Sequence, residues 1–356
     1  MIKFSTETKH KFERFKRIRR GYLSSLMLGG LLLLCLGAEL FINSRALVVS
    51  YEGNLYFPTY GDMIPGRVFG LDYEYETNYR DLKKQLASDD DESSWVIMPI
   101  VPYNEYENDL REFRDKDGNR LFPPFPPSFE NEHYLGTDST GRDILARLFY
   151  GFRIAMSFSL VLLILNYSVG VAVGCAMGYF GGRFDIILQR FIEILSNVPF
   201  LYVVMIVASL VKPNFFIFVL IMAAFGWMSM TYYMRSTTYR EKSREYVLAA
   251  RALGASHARV LFSHILPNSV SVIVMFVPFS ISSGIVALTS LDFLGYGLPA
   301  PTPSWGELLA QGTAQLDKQW IAMSVIGAMV IVLVMVTFMG EAIREAFDPK
   351  KHTIYE

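Results

Sequence analysis

No G-x-x-x-x-G-K-[ST] sequence occurs in these 356 residues, so the chain carries no P-loop and is not expected to hydrolyse ATP by itself. It also lacks a nucleophile elbow, an H-E-x-x-H pair and the kinase signatures. Histidine is sparse: His10, His133, His257, His264 and His352 are scattered, and none has metal-ligand spacing. The two cysteines, Cys35 and Cys175, both fall in apolar runs, a pattern that suggests neither a disulfide framework nor a metal site. Charge is scarce inside those runs, where Glu39, Glu193 and Asp292 all sit near run ends. An ion-driven carrier usually keeps a charge near the membrane midplane and often shows an inverted repeat. Neither sign is evident here, which weakens secondary transport.

What is present is apolar sequence. Hydrophobic residues make up 52% of the chain, above the 45–50% typical of soluble domains even with glycine counted, and they are clustered. Six stretches have the length of about 20 residues needed to cross a bilayer: Tyr22 to Ile42, Ile154 to Gly178, Phe191 to Val211, Phe215 to Met234, Ser269 to Leu291 and Trp320 to Gly340. Each must be helical, because lipid offers no partner to backbone N–H and C=O groups. The expected fold class is therefore an all-α polytopic membrane protein with six transmembrane helices. The first stretch, after the basic lead "KHKFERFKRIRR", is longer than a signal-peptide core and is followed by no convincing cleavage site. It is expected to be retained.

Lysine and arginine set the orientation. Eight lie within the first 20 residues, from Lys3 to Arg20. Arg183 and Arg190 lie between spans two and three, Arg235, Arg240, Lys242, Arg244, Arg251 and Arg259 between spans four and five, and Arg344, Lys350 and Lys351 in the tail. With six spans these segments share one side, expected to be cytoplasmic. The opposite connections are poor in positive charge near the membrane, where Lys212 and Lys318 are nearly alone. The expected organisation is a cytoplasmic basic segment 1–21, span one at 22–42, a periplasmic segment 43–153, a five-helix core 154–341 holding a cytoplasmic loop 235–268, and a cytoplasmic tail 342–356. Segment 43–153 carries more acid than base, including "SDDDESS", which lacks calcium-loop spacing and reads as a solvated run. "LFPPFPPSF" reads as a stiff extended connector. Tyr51, Tyr56, Phe57, Trp95 and Tyr103 point to some packed structure. Ile144, Leu145, Leu148 and Phe149 recur at helical spacing beside Arg142 and Arg147, which predicts an interfacial helix leading into span two.

The segment most unlike its surroundings is "REYVLAARALGASHARVLFSHILPN", Arg244 to Asn268. Ala249, Ala250 and Ala252 favour helix. Gly254 is placed to end a first helical piece by taking positive φ. Ser256 can cap a second piece, and Pro267 marks the start of span five. A basic helix–turn–helix with a small-residue surface can dock in a partner's groove. On the residues alone, the first reading is an amphipathic loop lying on lipid headgroups.

This segment resembles the EAA loop of ATP-binding-cassette importer permeases, E-A-A-x-x-x-G and, after nine intervening residues, I-x-L-P. The counterparts are Leu248, Ala249, Ala250 and Gly254, then His264, Leu266 and Pro267. Leu248 stands where the family keeps Glu, so a charge contact at the dock would fall to Glu245 or Arg251; Ala255 completes the turn. His264 replaces the usual Ile, as in the dipeptide and oligopeptide branch. "HYLGTDSTGRDILARLFYGFRIAMSFSL" (133–160), "GYFGGRFD" (178–185), "LDFLGYGLPAPTPSWGELLAQG" (291–312) and "GEAIREAFDP" (340–349) resemble the same branch. The enlarged segment after span one, with "RRGYLS", "NLYFPTYGD", "RFIE", "KPNF" and "FGWMS", looks most like the Yej-type oligopeptide and microcin C permeases. The resemblance implies a type I importer permease fold and a non-catalytic subunit with no cofactor of its own. It implies a second homologous permease subunit, two ATPase subunits that bind ATP and Mg, a periplasmic peptide-binding protein, a peptide substrate and the lipid of a bacterial inner membrane. No nucleic acid is implied.

Other features keep two readings. Asn197 and Pro199 in "EILSNVPF" mark either a pathway-lining kink or a structural kink with Asn197 bonded to a neighbouring helix. Trp227 in "FGWMSMTYYM" and Trp305 in "LPAPTPSW" are pathway or gate candidates, against helix packing and a rigid turn. "GYFGGRFD" without a Lys-Ser/Thr ending reads as a tight turn rather than a phosphate cradle. Besides a secondary transporter, a membrane sensor or scaffold remains open on the residues.

Overall fold

The computed structural model describes residues 6–88, 94–109, 111–114, 118, 120–211 and 214–347. They divide into two compact units. One, here the helical unit, comprises Met1–Gly29, Ala155–Pro299 and Ile331–Glu356; the other, the mixed unit, comprises Gly30–Ile154 and Ala300–Val330. In chain order the helices are α1 (Thr6–Arg17), α2 (Arg19–Leu36), α3 (Tyr79–Ser88), α4 (Ile144–Phe180), α5 (Gly182–Ser196), α6 (Phe200–Leu210), α7 (Phe215–Glu241), α8 (Glu245–Ala252), α9 (His257–Val260), α10 (Leu266–Phe293), α11 (Trp305–Ala314) and α12 (Gln319–Phe347). Among the described residues, five unbroken helical runs are long and apolar enough to cross a membrane: α2, α4, α7, His257–Phe293 and α12.

The expected third span is different. In place of one straight helix over Phe191 to Val211, α5 and α6 meet at a 68° bend, and they make a sixth crossing only when the bent pair is counted as one span. Alone, α6 rises only about 16 Å, short of the ~30 Å hydrocarbon core. Pro199 causes the break. It has no N–H for the ladder and disfavours helical geometry at Val198 before it. The Asn197 side-chain amide donates to the Glu193 carbonyl at 2.7 Å, so it seals the end of its own helix rather than reaching a neighbouring one.

In the helical unit, α4 and α7 pack backbone to backbone. Gly170, Gly174 and Gly178 fall four residues apart on one face of α4. A Cβ at Gly174 would stand 2.5 Å from the Thr231 carbonyl oxygen, and one at Gly178 would stand 2.5 Å from that of Arg235. Lipid tails are as apolar as leucine, so helices in a bilayer gain by close approach of small residues. Met230, Met234 and Cys175 fill the space beside this contact. At its far end Asp185 accepts from both Nε and Nη2 of Arg235, at 2.5 and 2.6 Å.

The mixed unit adds a small sheet to the helical architecture. Strands β1 (Val48–Tyr51), β2 (Asn54–Tyr56) and β3 (Trp95–Ile97) pair antiparallel in the order β2-β1-β3. A two-stranded ladder joins β4 (Phe113–Arg114) to β5 (Arg120–Leu121). Val49, Phe69, Tyr79 and Leu82 form a buried core, with Tyr51 and Tyr56 packed edge-on to Phe69 at 5.6 and 5.2 Å. The expected packing aromatics thus divide: Tyr51, Tyr56 and Tyr103 pack inward, whereas Phe57 and Trp95 are exposed. The acidic residues 89–93 of "SDDDESS" lie outside the described residues.

No separate interfacial helix leads into span two. α4 runs unbroken from Ile144, and its first turns are buried: Ile144 and Arg147 are 0% exposed. The amphipathic pattern was real, but its charged face meets carboxylates inside the mixed unit rather than headgroups.

Candidate functional site

The segment between α7 and α10 folds as its local chemistry dictates. α8 starts at Glu245, whose carboxylate suits the first turn. Gly254 ends the piece at φ +84°, and the Ala255 N–H reaches back to the Ala250 carbonyl at 3.0 Å. The Ser256 hydroxyl then accepts from the Arg259 N–H at 3.3 Å, capping α9. From there the chain passes through a π turn at Leu261–Ile265 directly into α10, so the second piece and span five form one continuous run, His257–Phe293. Pro267 stands in the first turn of α10. A π turn there takes up the register change at a residue with no N–H to give.

Anchoring is one-sided. Val247, Val260 and Ile265 are fully buried against Tyr179 at the end of α4. The Tyr179 hydroxyl lies 2.8 Å from His257 Nδ1, and Lys242 Nζ donates to the Tyr179 carbonyl at 3.2 Å. Ala255 and Leu261 pack against this base, and most of the remaining positions are exposed. Glu245, Ala249, Arg251 and Gly254 are exposed, Ala250 and Ala255 half-buried. Leu248 is 52% exposed, Leu253 89% and Phe262 70%. His264 is half-buried beside the Tyr246 ring, and Pro267 is exposed. The result is a rigidly based, outward-facing surface of leucine, alanine and glycine edged by charge. Sequence reading singled out the motif positions and overlooked Leu253, the most exposed large apolar residue of the segment. Its neighbour Gly254 was the available signal, since a positive-φ turn tips the preceding side chain off the helix.

The other candidates do not join this surface. Trp227 packs with the cluster of Met177, Ile192 and Met228, and its indole N–H donates to the Ala224 carbonyl at 2.9 Å. Trp305 is buried, stacks on Phe152 at 6.0 Å and donates to the Leu148 carbonyl at 2.9 Å. It belongs to the packing of the mixed unit. Pro199 breaks the bent span and Asn197 caps it. In "GYFGGRFD" both Gly181 and Gly182 have positive φ, at +65° and +57°, as a tight turn requires.

In the mixed unit, two segments distant in sequence meet at buried charge. Asp138 accepts from Arg142 Nε at 2.7 Å, and Arg142 Nη2 donates to Glu307 at 2.7 Å. Arg147 donates to the other Glu307 oxygen at 2.5 Å. Ser139, through its N–H and hydroxyl, donates to Gln311 at 3.0 and 2.9 Å. Beside this network, His133 Nδ1 lies 2.8 Å from Asp143 and Nε2 lies 3.0 Å from Asp109. The ring stacks on Tyr103 at 4.0 Å, and Arg111 pairs with Asp109. Burial pushes the His133 pKa down, but its hydrogen bonds to the accepting carboxylates of Asp109 and Asp143 outweigh it and hold it above the ordinary value. Burial pushes Asp109 up, yet His133 and Arg111 hold it far below the usual carboxylate range. Asp143 also accepts from the Ala146 N–H at 2.8 Å, so the same group caps α4. The long-range contacts were not visible in the sequence, because residues 109, 133 and 307 meet their partners only through the fold.

Residues 170–352 match the model of the binding-protein-dependent transport system inner membrane component family. The chain is 38% identical to the peptidoglycan transport system permease protein YejE of Agrobacterium fabrum, across 98% of this chain and 94% of the relative. It is 37% identical to the inner membrane ABC transporter permease protein YejE of Escherichia coli, across 99% of each. It is 31% identical to the oligopeptide transport system permease protein OppC of Haemophilus influenzae, across 67% of this chain and 76% of the relative.

Proposed function

The chain belongs to the family of binding-protein-dependent transport system inner membrane components, and on that premise we propose that it is the permease subunit of an ATP-driven peptide importer. The observation that carries the reading is the one-sided segment from Glu245 to Pro267: fixed from behind by Val247, Val260 and Ile265, apolar and exposed in front at Leu248, Leu253 and Phe262. An exposed apolar patch rimmed by charge marks a protein partner. Here that partner is an ATPase subunit on the cytoplasmic side, where the clustered arginines and lysines put this loop and both termini.

Two ATPase subunits bind ATP and Mg and close on each other, and a second, homologous permease subunit completes the pathway. A periplasmic binding protein delivers the peptide, an oligopeptide or a microcin C-like cargo. Because α9, the π turn and α10 are continuous, a displacement of the docked segment is transmitted along span five without an intervening flexible loop. The segment biases a two-state rearrangement and does no chemistry. The chain is a membrane-embedded, non-catalytic subunit.

Cysteine cross-linking tests the dock. Cys35 and Cys175 are both buried, so a Leu253→Cys variant presents one accessible thiol. In the assembled transporter, a maleimide–succinimide linker should join it to an ATPase subunit, while Tyr60→Cys in the mixed unit should give no such adduct. Equal adducts from both positions, or none from Leu253→Cys, would refute the assignment.

A further inference from the structure

Polar residues of three spans meet at one depth in the helical unit. Asn166 is the central residue of the expected span Ile154 to Gly178, and Ser280 that of Ser269 to Leu291. In the expected span Phe215 to Met234, Gly226 lies beside the centre and Ser229 about one turn beyond it. Together with Tyr167 and Tyr233 they line an open cavity of about 80 Å³. That is room for several waters. Polar groups are costly at this depth and are kept where they serve a route or a partner.

Most of this polarity is internally satisfied or open to the outside. The Tyr167 hydroxyl and Ser280 Oγ bond each other at 2.8 Å, Tyr233 stacks on Phe276 at 4.0 Å, and Ser229 is exposed. The exception is Asn166. Its side-chain carbonyl oxygen is buried without a hydrogen-bond partner, a condition that costs roughly 1–3 kcal/mol if nothing fills it. The fold makes space for this side chain. A Cβ at Gly226 would stand 2.3 Å from Asn166 Nδ2, so the glycine opposite is what lets the amide lie between α4 and α7, one turn before the Gly170 contact. The lining contains no charged residue. It therefore suits a neutral hydrogen-bond donor and gives no means of selecting a charged side chain.

We propose that this niche binds the peptide backbone of the cargo in transit, with Asn166 accepting a hydrogen bond from a main-chain N–H. The inference rests on the peptide-importer reading and deepens it. A single backbone contact at the midplane recognises what every peptide shares and leaves the side chains unread, which a transporter of varied peptides needs. Gly226 is a positioning residue for Asn166.

The test uses the complete transporter reconstituted in vesicles, with pentaalanine as probe, unmodified or methylated at each backbone nitrogen in turn. Wild-type transporter should take up at least one methylated peptide threefold to tenfold more slowly than pentaalanine, the worth of about one hydrogen bond. Asn166→Leu should take up both at the same reduced rate. A methylation penalty of equal size in wild type and Asn166→Leu overturns the proposal and leaves the importer reading intact. Failure of wild type to import pentaalanine at all overturns the peptide reading, and the niche assignment with it. If Asn166→Leu does not assemble, Ser229→Cys decides: pentaalanine should slow its labelling by N-ethylmaleimide, and unchanged labelling overturns the proposal.

Discussion

The helical unit and the mixed unit bury polar groups by opposite rules. The mixed unit takes full charges inside. Asp138, Asp143 and Arg147 are 0% exposed; Asp138 and Arg147 belong to the network around Glu307, and Asp143 to the His133 cluster beside it. The helical unit instead packs glycine against backbone, as at Gly174 and Thr231, and its polar contacts are mostly neutral, such as Tyr167 with Ser280. The Asp185–Arg235 pair is kept at helix ends. The difference teaches where charge is affordable. In a folded unit with loops, enough donors converge to replace water around an ion; along lipid-facing helices they do not. Specificity of assembly comes in one unit from charge geometry and in the other from shape.

Breaking each kind of contact separates the two rules. The largest effect is expected from Arg147→Met, which leaves Asp138 and Glu307 with Arg142 as their one remaining guanidinium partner. Removing one partner of a buried ion pair costs about 3–5 kcal/mol, read as a lowered melting temperature of the purified chain in detergent. Arg147→Met combined with Glu307→Leu should recover part of that loss; no recovery would mean the charges act independently. Next comes Gly174→Leu. A side chain there must push α4 off α7, and overpacking costs about 1–3 kcal/mol. Thermal melting measures it, and Gly29→Leu, where a Cβ meets nothing within 4 Å, should be neutral beside it.

The smallest effect is a pH dependence confined to the mixed unit. The folded pKa of His133 is raised above the ordinary 6.5. Its contribution is therefore complete below about pH 6.5 and is lost as pH rises through the raised value. Asp109 is shifted the other way, so its contribution persists above the ordinary carboxylate range and is lost only in acid, as pH falls through its depressed value. Melting temperature should thus decline on the alkaline side in wild type, and His133→Gln should flatten that decline. A slope unchanged by the substitution would remove His133 as its source.

What the sequence made legible was local. The five straight spans follow from hydropathy, and the turn at Gly254 and the cap at Ser256 follow from single-residue chemistry that needs no tertiary context. The bend at Pro199 was half legible. Proline announces a break, but the 68° angle between α5 and α6 is set by packing. The spacing of Gly170, Gly174 and Gly178 was in plain view and went unread, because only the partner helix shows that the face is a contact. The amphipathic start of α4 misled, since periodicity records which face is polar and not whether lipid headgroups or Glu307 meets it. Long-range ion pairing among Asp109, His133, Arg147 and Glu307 left no local signature.

The central claim is that the exposed front of the α8–α9 segment transmits ATPase motion to the spans. Gly254→Asp tests it most directly. A Cβ at Gly254 meets nothing within 4 Å, and although φ +84° imposes roughly 1–2 kcal/mol of left-handed strain, Asp is among the residues that tolerate this region. The chain should fold, reach the membrane in normal amount and present a carboxylate where the partner expects a bare backbone. The account predicts that ATP-driven uptake is abolished while the amount of membrane-inserted chain is unchanged. Uptake at the wild-type rate in that variant would contradict it.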